Sequence, residues 1–211
     1  MSWKTKVKNA INKLRRRAIH RALRAKLRNH QMSVLSANCV GALILHDLGE
    51  PFNSPFVNLF LSPADFIRFL QNRAFYQAQS LEFIDTEKPY PVAKLGDLTV
   101  HFMHYHNAKQ AAEKWQQRLA RLDENNLFVM MTDKDGGNGI TDELVREFDA
   151  LPFANKVIFT HKPHPQCASA FYIQGFEQQR EVGDLFAFSG WNGKKYYDQF
   201  DFVGWFNQGK Q

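Results

Sequence analysis

The segment Ser33–Leu48, SVLSANCVGALILHDL, constrains the fold of this chain more than any other part of its sequence. An apolar pair near its start gives way to the small and polar residues 36–39, and an apolar stretch then continues to Leu48. This order predicts a strand, a tight turn and a helix that ends at Gly49, because glycine commonly terminates helices. Backbone N–H groups at the start of such a helix can bind an anion. The polar turn residues are therefore candidate site residues, namely Ser36, Asn38 and Cys39.

Two later apolar runs, Leu127–Met131 and Lys156–Thr160, have the continuous pattern of strands that are buried on both faces of a parallel sheet. Together with the strand predicted after Ser33, they indicate an α/β fold with a mainly parallel sheet flanked by helices. The predicted arrangement is a Rossmann-like three-layer domain over residues 32–211, preceded by a basic N-terminal helix within residues 1–31.

Shorter patterns place further elements along the domain. Gly96-Asp97 separates two alternating segments and predicts a β-hairpin. Ser62-Pro63-Ala64-Asp65 has the residues of a helix start, with a serine cap and a proline at the first helical position. Val57–Leu61 is predicted to be a short strand. The aromatic, glycine-containing segment 184–206 predicts two short strands or an ordered loop packed on the domain.

The positive charge of the chain is concentrated at one end. Residues 1–30 contain 11 of the 27 Lys and Arg residues and none of the 21 Asp and Glu residues, so residues 31–211 carry a net charge of −5. A mildly acidic body argues against nucleic acid as the partner of the folded domain. Two cysteines do not form a disulfide framework, and no apolar run reaches the roughly 18 residues of a membrane span. We therefore expect a cytoplasmic protein.

The basic N-terminal segment also has an apolar stripe at helical spacing, formed by Trp3, Val7, Ile11, Leu14, Ala18, Ala22 and Ala25. Cationic amphipathic helices of this type lie in the headgroup region of anionic membranes, where each Lys or Arg contributes about 1 kcal/mol. The segment therefore predicts peripheral association with the inner face of the membrane through residues 1–30. A solvated helix or a partly disordered tail is the alternative that the same residues allow.

Polar residues also follow the two later strands. Asp133 and Asp135 precede two glycines, a pattern that suits a divalent ion holding a nucleotide diphosphate but equally suits a simple turn. His161 and His164, beside two prolines, are candidate bases or ligands, although a surface loop also explains them. The carboxyl ends of adjacent parallel strands lie at the same sheet edge, so these residues are expected to line one cleft with Ser36 and Asn38.

Several chemistries are compatible with such a cleft. Cys39, at a helix start, is a nucleophile with a lowered pKa or else a small packing residue. Ser36 is a nucleophile if a later histidine serves as its base, although the usual G-x-S-x-G motif is absent. Asn38 has an amide that can donate to an oxyanion or to a sugar hydroxyl. We expect Asn38 and a histidine of the sheet edge to matter more for activity than Cys39.

The chain resembles a bacterial family, domain of unknown function 1919, that is commonly labelled exopolysaccharide biosynthesis protein. The resemblance covers about residues 32–206. The matching motifs are Ser36-Ala-Asn-Cys-Val-Gly41, Asn53-Ser-Pro-Phe56, Ser62-Pro63-x-Asp65, Tyr90-Pro91, His101-Phe102-x-His104-Tyr105, Ala112-x-Lys114-Trp115-x-x-Arg118, Asp133-Lys-Asp-Gly136, Phe148-Asp149-x-Leu151-Pro152-Phe153 and His161-Lys-Pro163. A weaker similarity connects the Asn-Cys turn with polysaccharide-modifying relatives of the SGNH-type hydrolases, whose Gly-Asp-Ser motif is absent here.

The resemblance implies a protein of surface (exo-, capsular or lipo-) polysaccharide biosynthesis. The expected activity is that of a membrane-associated glycosyl- or acyl-type transferase acting on a glycan or a lipid-linked glycan. Its cofactor would be a divalent metal with a nucleotide sugar, or acyl-CoA, with Asn53 and Ser54 as candidate cofactor-binding residues. An SGNH-like esterase, and a non-catalytic subunit that binds a glycan or nucleotide, are the alternatives.

Overall fold

The computed structural model describes residues 3–208, apart from the side chain of Lys4. Its helices are α1 Trp3–Lys26, α2 Val40–Leu48, α3 Pro63–Gln71, α4 Arg73–Gln77, α5 Ala108–Leu119, α6 Asp142–Asp149 and α7 Phe202–Phe206. Its strands are β1 Ser33–Ser36, β2 Glu82–Ile84, β3 Val92–Leu95, β4 Leu98–His101, β5 Leu127–Thr132, β6 Lys156–Thr160 and β7 Ala170–Tyr172.

The main sheet has four parallel strands in the order β1-β5-β6-β7. The register pairs Ser33 with Leu127 and Val129 with Lys156, so the carboxyl ends of β1, β5 and β6 lie at one edge. The predicted α/β fold with a mainly parallel sheet between helices is therefore confirmed. Strand β7 is only three residues long, and the sequence analysis did not predict it.

The sheet separates two apolar clusters, which explains why β5 is apolar throughout. Val129 and Met131 point into the cluster on the side of α3, α5 and α6. Phe128 and Met130 point into the cluster on the side of α2 and α7. Successive side chains of a strand alternate between its faces, so a strand covered on both sides must be apolar at every position.

The local signals for turns and caps are confirmed. Gly49 ends α2 with φ +77°, and the hydroxyl of Ser62 accepts a hydrogen bond from the N–H of Asp65 at the start of α3. Strands β3 and β4 form the hairpin that turns at Gly96-Asp97, and β2 extends it to a three-stranded antiparallel sheet. Glycine at φ > 0 is the usual means by which a chain reverses at such positions.

Two predictions for irregular segments need correction. Val57–Leu61 is not a strand, and only Phe60 pairs, through an isolated bridge with His101. The reason is Asn58, whose φ of +62° lies in the left-handed region and interrupts the extended backbone. In segment 184–206 the ordered loop is confirmed, but the segment contains an isolated bridge and the helix α7 instead of two strands.

Helix α1 is attached to the domain through a buried charged network. Arg16 is buried, and its guanidinium donates to the carboxylates of Asp47 on α2 (2.7 Å) and Asp198. Lys195 and Tyr197 also donate to Asp47, Lys195 at 2.8 Å. Within residues 3–208, no helix combines the length and apolar character needed to cross a membrane.

Candidate functional site

A cleft of about 880 Å³ opens at the carboxyl edge of β1 and β5. Its volume is in the range of ordinary small-molecule sites, and its position is where ligands bind to open parallel sheets. Aromatic and aliphatic side chains form most of its wall, and a smaller polar set lies where the strands end. The lining residues include Asn38, Cys39, Val40, Leu43, His46, Phe52, Asn58, Phe60, Tyr90, Met103, His104, Thr132, Lys134, Asp184, Leu185 and Phe186.

The polar floor of the cleft joins the first two strands. The side-chain amide of Asn38, just after β1, donates to the hydroxyl of Thr132 at the end of β5 over 2.8 Å. The amide oxygen of Asn38 accepts from the N–H of Val40 at 3.1 Å, which fixes the orientation of the amide. An amide group carries two N–H donors and a hydroxyl can donate as well as accept. The pair can therefore still offer hydrogen bonds to a ligand.

At the start of α2, two of the N–H groups that could bind an anion are used within the protein. The N–H of Val40 donates to the Asn38 side chain, and the N–H of Gly41 donates to the hydroxyl of Ser36 at 3.2 Å. These first-turn donors, which would otherwise bind an anion, are thus satisfied within the protein. Ser36 itself is buried beneath the turn and does not line the cleft.

Cys39 lines the cleft. Burial raises the pKa of this thiol, which favours the alternative of a small packing residue over that of a nucleophile with a lowered pKa. Desolvation disfavours the thiolate. Cys39 therefore contributes a neutral, weakly polar group to the cleft.

Asp133 and His161 form a pair next to the cleft floor. The buried carboxylate of Asp133 accepts from the N–H of Val182 (2.8 Å) through one oxygen, and from the backbone N–H of His161 (2.7 Å) through the other. The second oxygen also lies 2.6 Å from Nδ1 of the His161 ring, whose side chain is 15% exposed. A buried carboxylate that orients an imidazole is the arrangement found in many acid–base sites. Neither residue lines the cleft, although Asp133 lies in the chain between the lining residues Thr132 and Lys134.

Asp135, the second aspartate of the predicted metal motif, lies in a turn that is held by hydrogen bonds within the protein. Glu181 accepts hydrogen bonds from the backbone N–H groups of Asp135 (2.7 Å) and Gly139 (3.3 Å), which fastens the turn. Burial, together with the nearby charge of Glu181, raises the pKa of Asp135. Across residues 3–208, no three His, Cys, Asp or Glu side chains are grouped so that they could hold a metal ion.

The remaining predicted residues lie away from the cleft. His164 is buried, burial lowers its pKa, and its ring lies 3.9 Å from the carboxylate of Asp142. Asn53 and Ser54 are buried in the loop after α2, where the Ser54 hydroxyl accepts from the N–H of Phe56 at 3.1 Å. The structure thus brings Asn38 and Cys39 to the cleft and pairs Asp133 with His161, but it does not gather all the predicted residues.

Sequence reasoning missed most of the cleft wall. Lys134 and Asp184 form an ion pair of 3.1 Å at its rim, between segments fifty residues apart in the chain. Phe186 and Met103 lie at the cleft with 45% and 43% of their surface exposed. Asn58 is the one non-glycine residue with positive φ among the residues described, and strained positions of this kind cluster at functional sites. Exposed apolar side chains around a concave surface indicate a binding site. The sequence alone does not show which apolar residues are exposed or that they come together.

Comparison with known proteins places the chain in a family. It is 63% identical over 202 residues to an uncharacterized protein of Haemophilus influenzae, and the match covers 96% of this chain and 97% of that protein. Residues 10–207, which include α2, both sheets and the whole cleft, match the family described as Domain of unknown function (DUF1919). The chain therefore belongs to the DUF1919 family.

Proposed function

We propose that this protein is a transferase of surface-polysaccharide assembly whose cleft binds a lipid-linked or acylated substrate. The observation that carries the proposal is the composition of the cleft, which has a largely apolar wall and a small polar floor at the carboxyl edge of the sheet. The connection with polysaccharides rests on the family resemblance of the motifs around Ser36, Asp133 and His161 described above.

The apolar wall supports an amphiphilic ligand in preference to a free sugar. Phe52, Phe60, Met103 and Phe186 surround a space that a hydrocarbon chain would fill, and removing apolar area from water contributes about 25 cal/mol per Å². Sugars are bound mainly through hydrogen bonds, for which this wall offers few partners. The polar end of such a ligand, a phosphate or a thioester, would lie against the floor near Lys134.

The proposed roles follow from the geometry of the floor. Asn38 donates to the oxygen on which negative charge develops, because its amide is held in place by Thr132 and by the N–H of Val40. Such a preorganised donor is worth about 3–4 kcal/mol of transition-state stabilisation. His161, oriented by the buried carboxylate of Asp133, is the proposed base. Cys39 is given no role in the proposed reaction, because burial raises the pKa of its thiol and disfavours the thiolate.

A second candidate, a non-catalytic subunit that binds the same ligand for other enzymes, is favoured by one observation: His161 and its partner lie beside the cleft and not on its wall. The esterase alternative has no comparable support. It required the Ser36 hydroxyl at the site, whereas this hydroxyl is buried and accepts a hydrogen bond from Gly41.

Ligand binding tests the cleft directly. Palmitoyl-CoA and a short polyprenyl phosphate are titrated against the wild-type protein, Phe186→Ala and the matched control Phe75→Ala, whose phenylalanine is 48% exposed and does not line the cleft. Covering the exposed half of a phenylalanine is worth about 1 kcal/mol, so Phe186→Ala should weaken binding about fivefold. The control should bind as the wild type does. Equal affinities for all three proteins, or no binding of either probe, would reject the proposed cleft ligand.

Polysaccharide production in cells separates the two candidates. Asn38→Ala, His161→Gln and Cys39→Ala are expressed at matched levels in a strain that lacks the wild-type gene. For a transferase, we expect the first two variants to fail and Cys39→Ala to restore production. If Asn38→Ala and His161→Gln both restore it while a binding-defective Phe186→Ala does not, the protein is a binding subunit. Loss with Cys39→Ala alone would contradict the proposed roles.

A further inference from the structure

Helix α1 buries polar side chains and exposes apolar ones. The face that packs on the domain carries Asn12 and Arg16, which are fully or almost fully buried, together with Leu23, which packs against the apolar cluster on the side of α2. Much of the apolar stripe lies on the other side, because each residue turns a helix by about 100° and Leu14 is thus nearly opposite Arg16, whereas Val7 and Ile11 are partly buried. Leu14 is 68% exposed and Trp3 is 78% exposed. The small stripe residues Ala18, Ala22 and Ala25 are exposed as well.

Cations border this outward stripe. On one side lie Lys6, Lys13, Arg17 and Arg21, all exposed, and on the other side lie Arg15 and Lys26. The helix contains no acidic residue. Among the residues that the structure describes, the ion pairs of α1 are made by Arg16 and His20, both with partners on the domain side. The outward face is therefore strongly positive and carries exposed apolar side chains along its centre.

A loop of the domain packs along the flank of α1. Asn12 donates to the carbonyl of Gly190 at 2.8 Å and accepts from the N–H of Gly193 at 3.0 Å. The guanidinium of Arg15 donates to the carbonyl of Trp191 at 2.6 Å. Trp191 is 52% exposed beside the helix, and tryptophan is enriched where proteins meet the membrane–water interface. These hydrogen bonds fix the loop to the helix, so the exposed Trp191 side chain lies next to α1.

We infer that this surface, formed by the outward face of α1 and by Trp191, docks onto an anionic lipid bilayer. Rows of cations meet the lipid headgroups while Trp3, Leu14 and Trp191 enter the interface between them. Nucleic acid is the poorer partner, because a phosphate backbone offers nothing to the exposed leucine and the body of the protein is acidic. The inference does not depend on the transferase proposal.

Vesicle binding of the full-length protein tests the inference. Phosphatidylglycerol-containing vesicles and pure phosphatidylcholine vesicles are sedimented with wild type, with Lys13→Glu/Arg17→Glu/Arg21→Glu, and with the control Lys88→Glu/Lys109→Glu/Lys114→Glu. The control has the same change in net charge on exposed residues outside α1. We expect the α1 variant to lose at least about a hundredfold in partition coefficient on anionic vesicles, and the control to lose far less. Leu14→Ser, at a position that is 68% exposed, should lose severalfold.

Three outcomes would overturn the inference. They are equal binding of wild type to both kinds of vesicle, equal losses in the α1 variant and its control, and wild-type binding that persists undiminished at about 0.5 M NaCl, where charges are screened within a few ångströms. Tight binding of a duplex RNA, lost specifically in the α1 variant while vesicles are ignored, would identify nucleic acid as the partner instead. Circular dichroism of each variant confirms that it is folded.

Discussion

Replacing Asp47 by asparagine should be among the most destabilising single changes in the domain, although the two side chains have the same shape. In the wild type one carboxylate oxygen of Asp47 accepts from Arg16 (2.7 Å), Lys195 (2.8 Å) and Tyr197. The side chains of Arg16 and Asp47 are each 5% exposed. The substitution removes the negative charge and leaves two cations facing a neutral amide.

The expected loss of stability depends on the interactions that Arg16 and Lys195 keep in the variant. Removing one member of a buried ion pair costs about 3–5 kcal/mol, because the remaining charge stays desolvated and uncompensated. Arg16 keeps a second carboxylate, Asp198, and Lys195 is partly exposed to water. These two features place the expected loss at the lower end, at about 3 kcal/mol. For a chain of this length the loss corresponds to a decrease in Tm of about 6–12 °C.

The assay is urea unfolding and thermal unfolding, followed by circular dichroism. The matched control is Asp184→Asn, which removes the acid of an exposed ion pair with Lys134 and should cost less than about 1 kcal/mol. A double-mutant cycle of Asp47→Asn with Arg16→Met isolates the pair. We expect a coupling free energy of about 1–3 kcal/mol, because the two groups share one buried network.

Two results would refute this reasoning. The first is a Tm of Asp47→Asn that differs from that of the wild type no more than the control does. The second is strict additivity in the cycle, which would mean that Arg16 and Asp47 are stabilised independently and that the network does not attach α1 to the domain.

Two further predictions concern pH and packing. Burial alone would raise the pKa of Asp47, but hydrogen bonds from Lys195, Tyr197 and Arg16 outweigh burial and hold it well below its usual range. A carboxyl whose pKa is lowered by folding stabilises the native state at pH values above its pKa in the unfolded chain, about 3.9. The Tm of the wild type should therefore fall further than that of Asp47→Asn as the pH decreases below about 5. Gly41→Ala should destabilise by about 1–3 kcal/mol despite the higher helix propensity of alanine, because its Cβ would lie 2.8 Å from Cβ of Ser36. A higher urea midpoint for that variant would contradict the close approach of α2 to β1.

Much of the fold could be predicted because its signals are local or periodic. The strand–turn–helix segment, the two buried strands and the hairpin follow from runs of a few residues, and each was placed within about three residues. Strand β7 and helix α7 were missed because both are short and are stabilised by distant partners. The aromatic ring of Phe206 on α7, for example, packs against Phe128 of β5 with ring centroids 5.1 Å apart. The residues of a short segment do not reveal its contacts with residues far away in the chain, so such an element cannot be predicted from them.

The candidate site was only half predictable for a related reason. A parallel sheet brings the ends of its strands together, and Asp133 and His161, both predicted at this edge, do pair, although of the residues predicted to line one cleft only Asn38 lines it. The rule does not say which way a side chain points once the strand has ended. Asp133 turns towards β6 and the N–H of Val182, whereas its neighbour Lys134 turns towards the cleft.

That difference in direction determines what the cleft can do. With Asp133 directed away from it, the cleft presents the amides of Asn38 and Asn58, the hydroxyl groups of Thr132 and Tyr90, two imidazoles and one exposed ion pair beneath an apolar wall. Two histidines, His46 and His104, line the cleft, whereas the proposed base, His161, is oriented by Asp133 at its margin, so His161→Gln tests whether the protein is a transferase or a binding subunit. Substitutions of the apolar wall report on ligand binding in either case.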